Sequence, residues 1–120
     1  MQHGFDDALA QVIGALQQEG FGILSDIDVA ATLKKKLGAD MLPYRILGAC
    51  NPPLAQCAIA AEPSIGLLLP CNVVVRQDGA GAVHVEVMNT EAVLQLVDKP
   101  EIAALAREVR ERLDRVLGAL

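Results

Sequence analysis

Apolar positions in this chain recur with the period of a helix in some stretches and of a strand in others. From Phe5 to Glu19, Leu9, Val12, Ile13 and Leu16 fall at i, i+3, i+4 and i+7, one stripe of an amphipathic helix. Asp6 and Asp7 stand in its first turn and Gly20 is placed to stop it. Phe21 to Ile27 reads as a short strand. Asp28 is then the N-cap of a second helix, Val29 to Leu37, which Gly38 ends. Lys34, Lys35 and Lys36 fill the last turn, where a solvated helix end explains them more simply than an anion site.

Tyr44 to Ala49 reads as a strand, and Asn51-Pro52-Pro53 opens a helix that continues through Ala61. Leu67 to Val75, LLLPCNVVV, is nearly continuous apolar sequence. It reads as a central strand buried on both faces, with a bulge or kink at Pro70. Asp78-Gly79-Ala80-Gly81 signals a hairpin turn. Ala82 to Met88 alternates, with Val83, Val85 and Val87 on one side and His84 and Glu86 on the other. Thr90 begins a short helix to Val97, and a long helix follows to about Leu117. Its outer face offers four i, i+4 ion pairs: Arg107–Glu111, Glu108–Arg112, Arg110–Asp114 and Glu111–Arg115. Strands and helices do not alternate regularly, and the last two strands form a hairpin. The pattern predicts an α+β fold of two layers, an antiparallel sheet with helices on one face and a long C-terminal helix.

Composition narrows the function classes. At 120 residues the chain is expected to be one domain, 1–120. Only Phe5, Phe21 and Tyr44 are aromatic, so the core must be aliphatic. A net charge of −5 and a pI near 4.8 argue against nucleic acid and against an anionic membrane surface. No apolar run reaches the roughly 18 residues of a membrane span, and the start lacks the basic and apolar regions of a signal peptide. Three cysteines with no disulfide spacing predict a cytoplasmic setting with free thiols.

Candidate chemistry gathers in one stretch. From Ile46 to Val75 there is a single charged residue, Glu62. Cys50 precedes the Asn51 cap, which is expected to bring its sulfur near the free N–H groups of a helix start, an environment that favours a thiolate. Cys71 is likewise followed by asparagine, Asn72. Were the two strands neighbours, Cys50 and Cys71 with His84 or a third thiol would make a soft-metal site, and the two thiols alone a redox pair. Against this stands the simpler reading of packing thiols, since there is no CxxC and free cysteine is commonly a small buried hydrophobe. Asn51 and Asn72 are read either as backbone-satisfying amides or as the polar wall of a pocket. Glu62 is a turn carboxylate or a general base, and Arg45 is its partner or that of a bound anion. His84 is placed on the solvent side of its strand. There is no nucleophile elbow, P-loop or GxGxxG, so hydrolase, NTPase and dinucleotide activities draw no support.

Three segments resemble a known family. FGIL-x-DIDV-x-ATLKKKLG (Phe21 to Gly38), PYRILGACNPPLA (Pro43 to Ala55) and AEPSIGLLLPCNVVV (Ala61 to Val75) are similar to the domain of unknown function 302 family, DUF302, of small prokaryotic proteins. The resemblance implies a two-layer α+β fold and a homodimer, and it implies no established activity. The family's motif cysteines map onto Cys50 and Cys71 and its asparagines onto Asn51 and Asn72. Cys57 lies outside the motifs. Such domains open with a strand before the first helix. Here only Met1 to Gly4 precede it, so a very short or missing first strand is expected. The combined expectation is a homodimeric module binding a small molecule or a soft metal at Cys50, Asn51, Cys71 and Asn72, with Arg45 and Glu62 nearby. The alternatives are an interaction protein without an active site and a thiol-redox or sulfur-carrier protein using Cys50. No cofactor beyond the soft metal is indicated.

Overall fold

Local chemistry sets most element ends in the computed structural model, which describes residues 4–120. Helix α1 (Phe5–Gln18) buries Ala8, Val12 and Leu16, with Leu9 and Ile13 packed at the margin of the stripe. Gly20 adopts φ +85°, and the Phe21 N–H returns to the Leu16 carbonyl at 2.9 Å, closing the helix end. Strand β1 (Gly22–Asp28) leads into α2 (Val29–Leu37), where the Asp28 carboxylate accepts from the Ala31 N–H at 2.9 Å and Gly38 takes φ +66°. The first-strand expectation for Met1 to Gly4 falls largely on residues outside those described, and Gly4 is the residue that precedes α1.

Strands β2 (Tyr44–Cys50), β3 (Cys71–Gln77) and β4 (Val83–Val87) complete an antiparallel sheet ordered β1-β2-β3-β4. Leu47 opposes Val73, and Ala49 opposes Cys71. These residues form the inner face with Val75 and Val83, and α1 and the long α5 (Pro100–Gly118) cover it through Val12, Leu16, Leu113 and Val116. The next residues along each strand point the other way. Ile27, Ile46, Val74 and Glu86 make one row across that second face. The fold is thus α+β, with helices packed on one side of the sheet.

One predicted strand is wrong in its first half. Leu67 is not in the sheet: a 3-10 helix spans Pro63–Leu68, Leu67 is 89% exposed, and β3 starts at Cys71. Pro70, which follows a cis peptide bond, has no N–H to give a ladder, so pairing begins only after it. The short helix α4 (Thr90–Leu94) also ends earlier than Val97. The outer face of α5 keeps Glu108–Arg112 at 2.8 Å and Arg110–Asp114 at 3.9 Å. Arg115, however, turns to Glu19 at 2.8 Å, and Arg112 donates to the Glu19 carbonyl at 2.8 Å, tying the end of α1 to α5.

Candidate functional site

Two packed clusters share α5. One lies under the sheet; the other joins Ala58 of α3 (Pro52–Ala61), Ile65, Leu94, Ile102 and Ala106. Between them runs a cleft of about 280 Å³. Phe21, Ala49, Cys71, Thr90 and Leu94, all buried, form its floor, while Leu24 and Ile59 are exposed at its rim. Leu24 reaches the rim because β1 bulges there: Ile23 opposes Ala49 and Ser25 opposes Gly48, which leaves Leu24 unpaired. Among the described residues, none of the lining side chains is charged.

Cys50 and Asn51 line the cleft where β2 passes into α3, and Cys71 lines it where β3 begins. Asn51 is only 8% exposed, and its Oδ1 accepts from the Leu54 N–H at 3.3 Å. Its amide also packs on Gly20, where a Cβ would stand 2.9 Å from Nδ2 and 3.2 Å from Arg112 Nη1. The Cys71 thiol is pushed up to about 11, chiefly by burial and further by the neighbouring Cys50. It stays protonated at neutral pH.

The start of α3 does not offer Cys50 the free N–H groups expected of it. Pro52 and Pro53 have none, the Leu54 N–H goes to the Asn51 side chain, and the Ala55 N–H goes to the Asn51 carbonyl at 2.8 Å. Asn72 does not share the cleft. It is exposed and opposes Gly48 on the second face of the sheet, because successive strand residues point to opposite sides. His84 opposes Arg76, five residues from Cys71 along β3 and on that same second face. Its Nε2 lies 2.7 Å from Asp78. Cys50, Cys71 and His84 therefore do not assemble, and no group of three metal-binding side chains exists among the described residues.

Arg45 and Glu62 are also separate, from the cleft and from each other. Arg45 sits at the far end of β2 in a fork of Asp26 (2.9 Å) and Asp28 (3.1 Å). Glu62 joins α3 to the 3-10 helix and meets Lys99 at 3.0 Å, which with the Ser64 N–H holds its carboxyl below the ordinary range. Cys57 is exposed on α3, away from the cleft lining.

The family model described as Domain of unknown function DUF302 matches residues 1–120. The chain belongs to this family. It is also similar to the crystal structure of an uncharacterized conserved protein DUF302 from Bacillus stearothermophilus, with a TM-score of 0.88 and 28% identity over 98% of this chain and 91% of that one. No curated protein matches the chain.

Sequence reasoning missed the α4 and α5 side of the cleft in this DUF302 chain: Thr90, Leu94, Leu105 and Val109. A local signal for Thr90 exists. Asn89 and Thr90 are both capping residue types, but a helix has one N-cap. Asn89 takes it, accepting from the Ala92 N–H at 3.2 Å, and Thr90 is left to face inward.

Proposed function

We propose that this DUF302 protein is a homodimeric binding module that takes up a small, predominantly apolar molecule in the cleft between β2, α3, α4 and α5. The observation that carries this reading is the cleft itself, an uncharged concavity of about 280 Å³ holding Cys50, Asn51 and Cys71 of the family motifs. Its volume falls just under the roughly 300 Å³ where ordinary ligand pockets begin, and apolar walls with few polar groups are the usual composition.

The other readings draw less from the geometry. Two sulfurs without a third donor among the described residues fall short of a tetrahedral metal site. A redox role needs a reactive thiolate, whereas the helix start beside Cys50 is already satisfied and Cys71 holds its proton. The homodimer has support in the second sheet face, where exposed Ile27 lies in one row with half-buried Ile46 and Val74.

Thermal shift against a panel of small apolar compounds, followed by calorimetry on the hits, tests the cleft. Ala55, half-buried in its wall, gives the control: Ala55→Phe fills the space and is expected to abolish the shift while leaving a cooperative melt. Hits that bind Ala55→Phe as well as the parent protein would place binding elsewhere.

A further inference from the structure

We infer that the cleft selects an uncharged aliphatic molecule with a single oxygen function (an alcohol, aldehyde or ketone) and takes it oxygen first, onto Thr90 Oγ1. This rests on the binding reading above and adds the ligand's class and orientation.

The first observation is Thr90 itself. It is 1% exposed, lines the cleft, and its Oγ1 has no hydrogen-bond partner among the described residues. A buried hydroxyl without a partner is disfavoured, and such groups are few in folded proteins. Helix capping does not explain it, since Asn89 serves α4. A hydroxyl both donates and accepts, so it suits a ligand alcohol or carbonyl equally.

The second observation is charge. A carboxylate or ammonium entering the cleft would lose its water and meet no counter-charge among the described lining residues. Arg112, which meets Gly20 beside Asn51, is occupied by Glu108 and the Glu19 carbonyl. Neutral ligands are therefore selected.

The third observation is the gradient of burial. Thr90 stands with Cys71 (6%) and Leu94 (5%) at the closed end, and Leu24 (68%) and Ile59 (47%) stand at the open end. The oxygen belongs deep, and the hydrocarbon lies along Leu54 and Leu105 toward the rim. A dry cavity of about 150 Å³ admits benzene. In proportion, about 280 Å³ accommodates on the order of eleven non-hydrogen atoms.

The experiment compares 1-octanol, octanoate, octylamine and n-octane on the parent protein and on Thr90→Val and Thr90→Ser, by calorimetry and thermal melting. In the parent, 1-octanol is expected to bind at least tenfold more tightly than octanoate or octylamine. Thr90→Val keeps the shape and removes the oxygen. It should weaken 1-octanol about tenfold, leave the n-octane shift unchanged, and raise the ligand-free Tm by about 3 °C. Thr90→Ser should keep 1-octanol binding. Octanoate binding as tightly as 1-octanol, or unchanged 1-octanol affinity in Thr90→Val, overturns the inference and leaves the cleft as a general apolar binder. Silence from all four compounds, n-octane included, overturns the binding reading as well.

Discussion

Cys71 and Asn72 are adjacent in sequence and opposite in role. Alternation along a strand sends one inward and one outward, so two Cys-Asn dipeptides cannot both deliver all four residues to one pocket. Cys50 and Asn51 escape the rule because β2 ends at Cys50 and the chain turns into α3. The three cysteines accordingly have three environments: Cys57 exposed, Cys50 half-buried in the cleft wall, Cys71 buried. With its thiol at about 11 against an ordinary 9.0, Cys71 holds about one-hundredth of the usual thiolate near neutral pH. Iodoacetamide at pH 8 should label Cys57 readily and Cys71 only after denaturation; prompt labelling of Cys71 in the folded protein would refute its burial. The linkage has a definite sign. Folded Cys71 binds its proton more tightly than the unfolded thiol does. The associated stability is full below pH 9 and is lost as pH rises through about 11. The loss is on the order of 3 kcal/mol. Cys71→Ala should be less stable at pH 7 and show a flatter alkaline limb in urea titrations.

At the scale of elements, legibility followed locality. Asp28, Asn51 and Gly38 set helix ends through bonds spanning three or four residues, and the sequence shows them. The run LLLPCNVVV reads as one strand because continuous apolar sequence does not distinguish a buried strand from another apolar segment. Pro63 and Pro70 bracket a 3-10 helix there, and only the residues after Pro70 enter the sheet. The cleft was half legible. Its β2 and β3 side carries the distinctive motif, whereas its α4 and α5 side arrives from residues some forty positions later and depends on tertiary packing. Gly48 shows how closely the segment ending at Pro70 packs. A Cβ at Gly48 would overlap Ser25 Oγ and stand 2.9 Å from Pro70 Cγ. Those neighbours belong to β1 and to the residue just before β3. Gly48→Ala should therefore cost about 2 kcal/mol by overpacking, read as a lowered urea midpoint. Gly66→Ala, whose added Cβ meets none of the described residues within 4 Å, is the matched control and should change little. Equal effects from the two substitutions would show that the β1–β2–Pro70 contact is not what constrains Gly48.

For the whole molecule, the helices cover one face of the sheet and the cleft lies on that covered side, at the end where β2 stops and β3 begins. The second face carries Ile27, Ile46 and Val74 in register, flanked by Asn72, Arg76, His84 and Glu86. An ordinary interface removes roughly 800 Å² from each partner, about a ninth of the 7004 Å² this chain exposes. A face with an apolar row inside a polar margin has the anatomy of such a contact. The proposed homodimer is therefore expected to close face to face through this row, leaving both clefts free. Val74 stands in β3, one strand in from the β4 edge, so Val74→Arg sets two like charges against each other across the two-fold axis. Sedimentation velocity at micromolar concentration should show a dimer for the parent and a monomer for Val74→Arg. The variant should still bind whatever the parent's cleft binds, because the substitution is on the opposite side of the sheet. Leu24, exposed on the bulged edge strand at the cleft rim, supplies the competing geometry. If Leu24→Lys dissociates the dimer and Val74→Arg does not, the subunits meet along β1. The partner would then border the cleft, and ligand affinity would fall with dissociation.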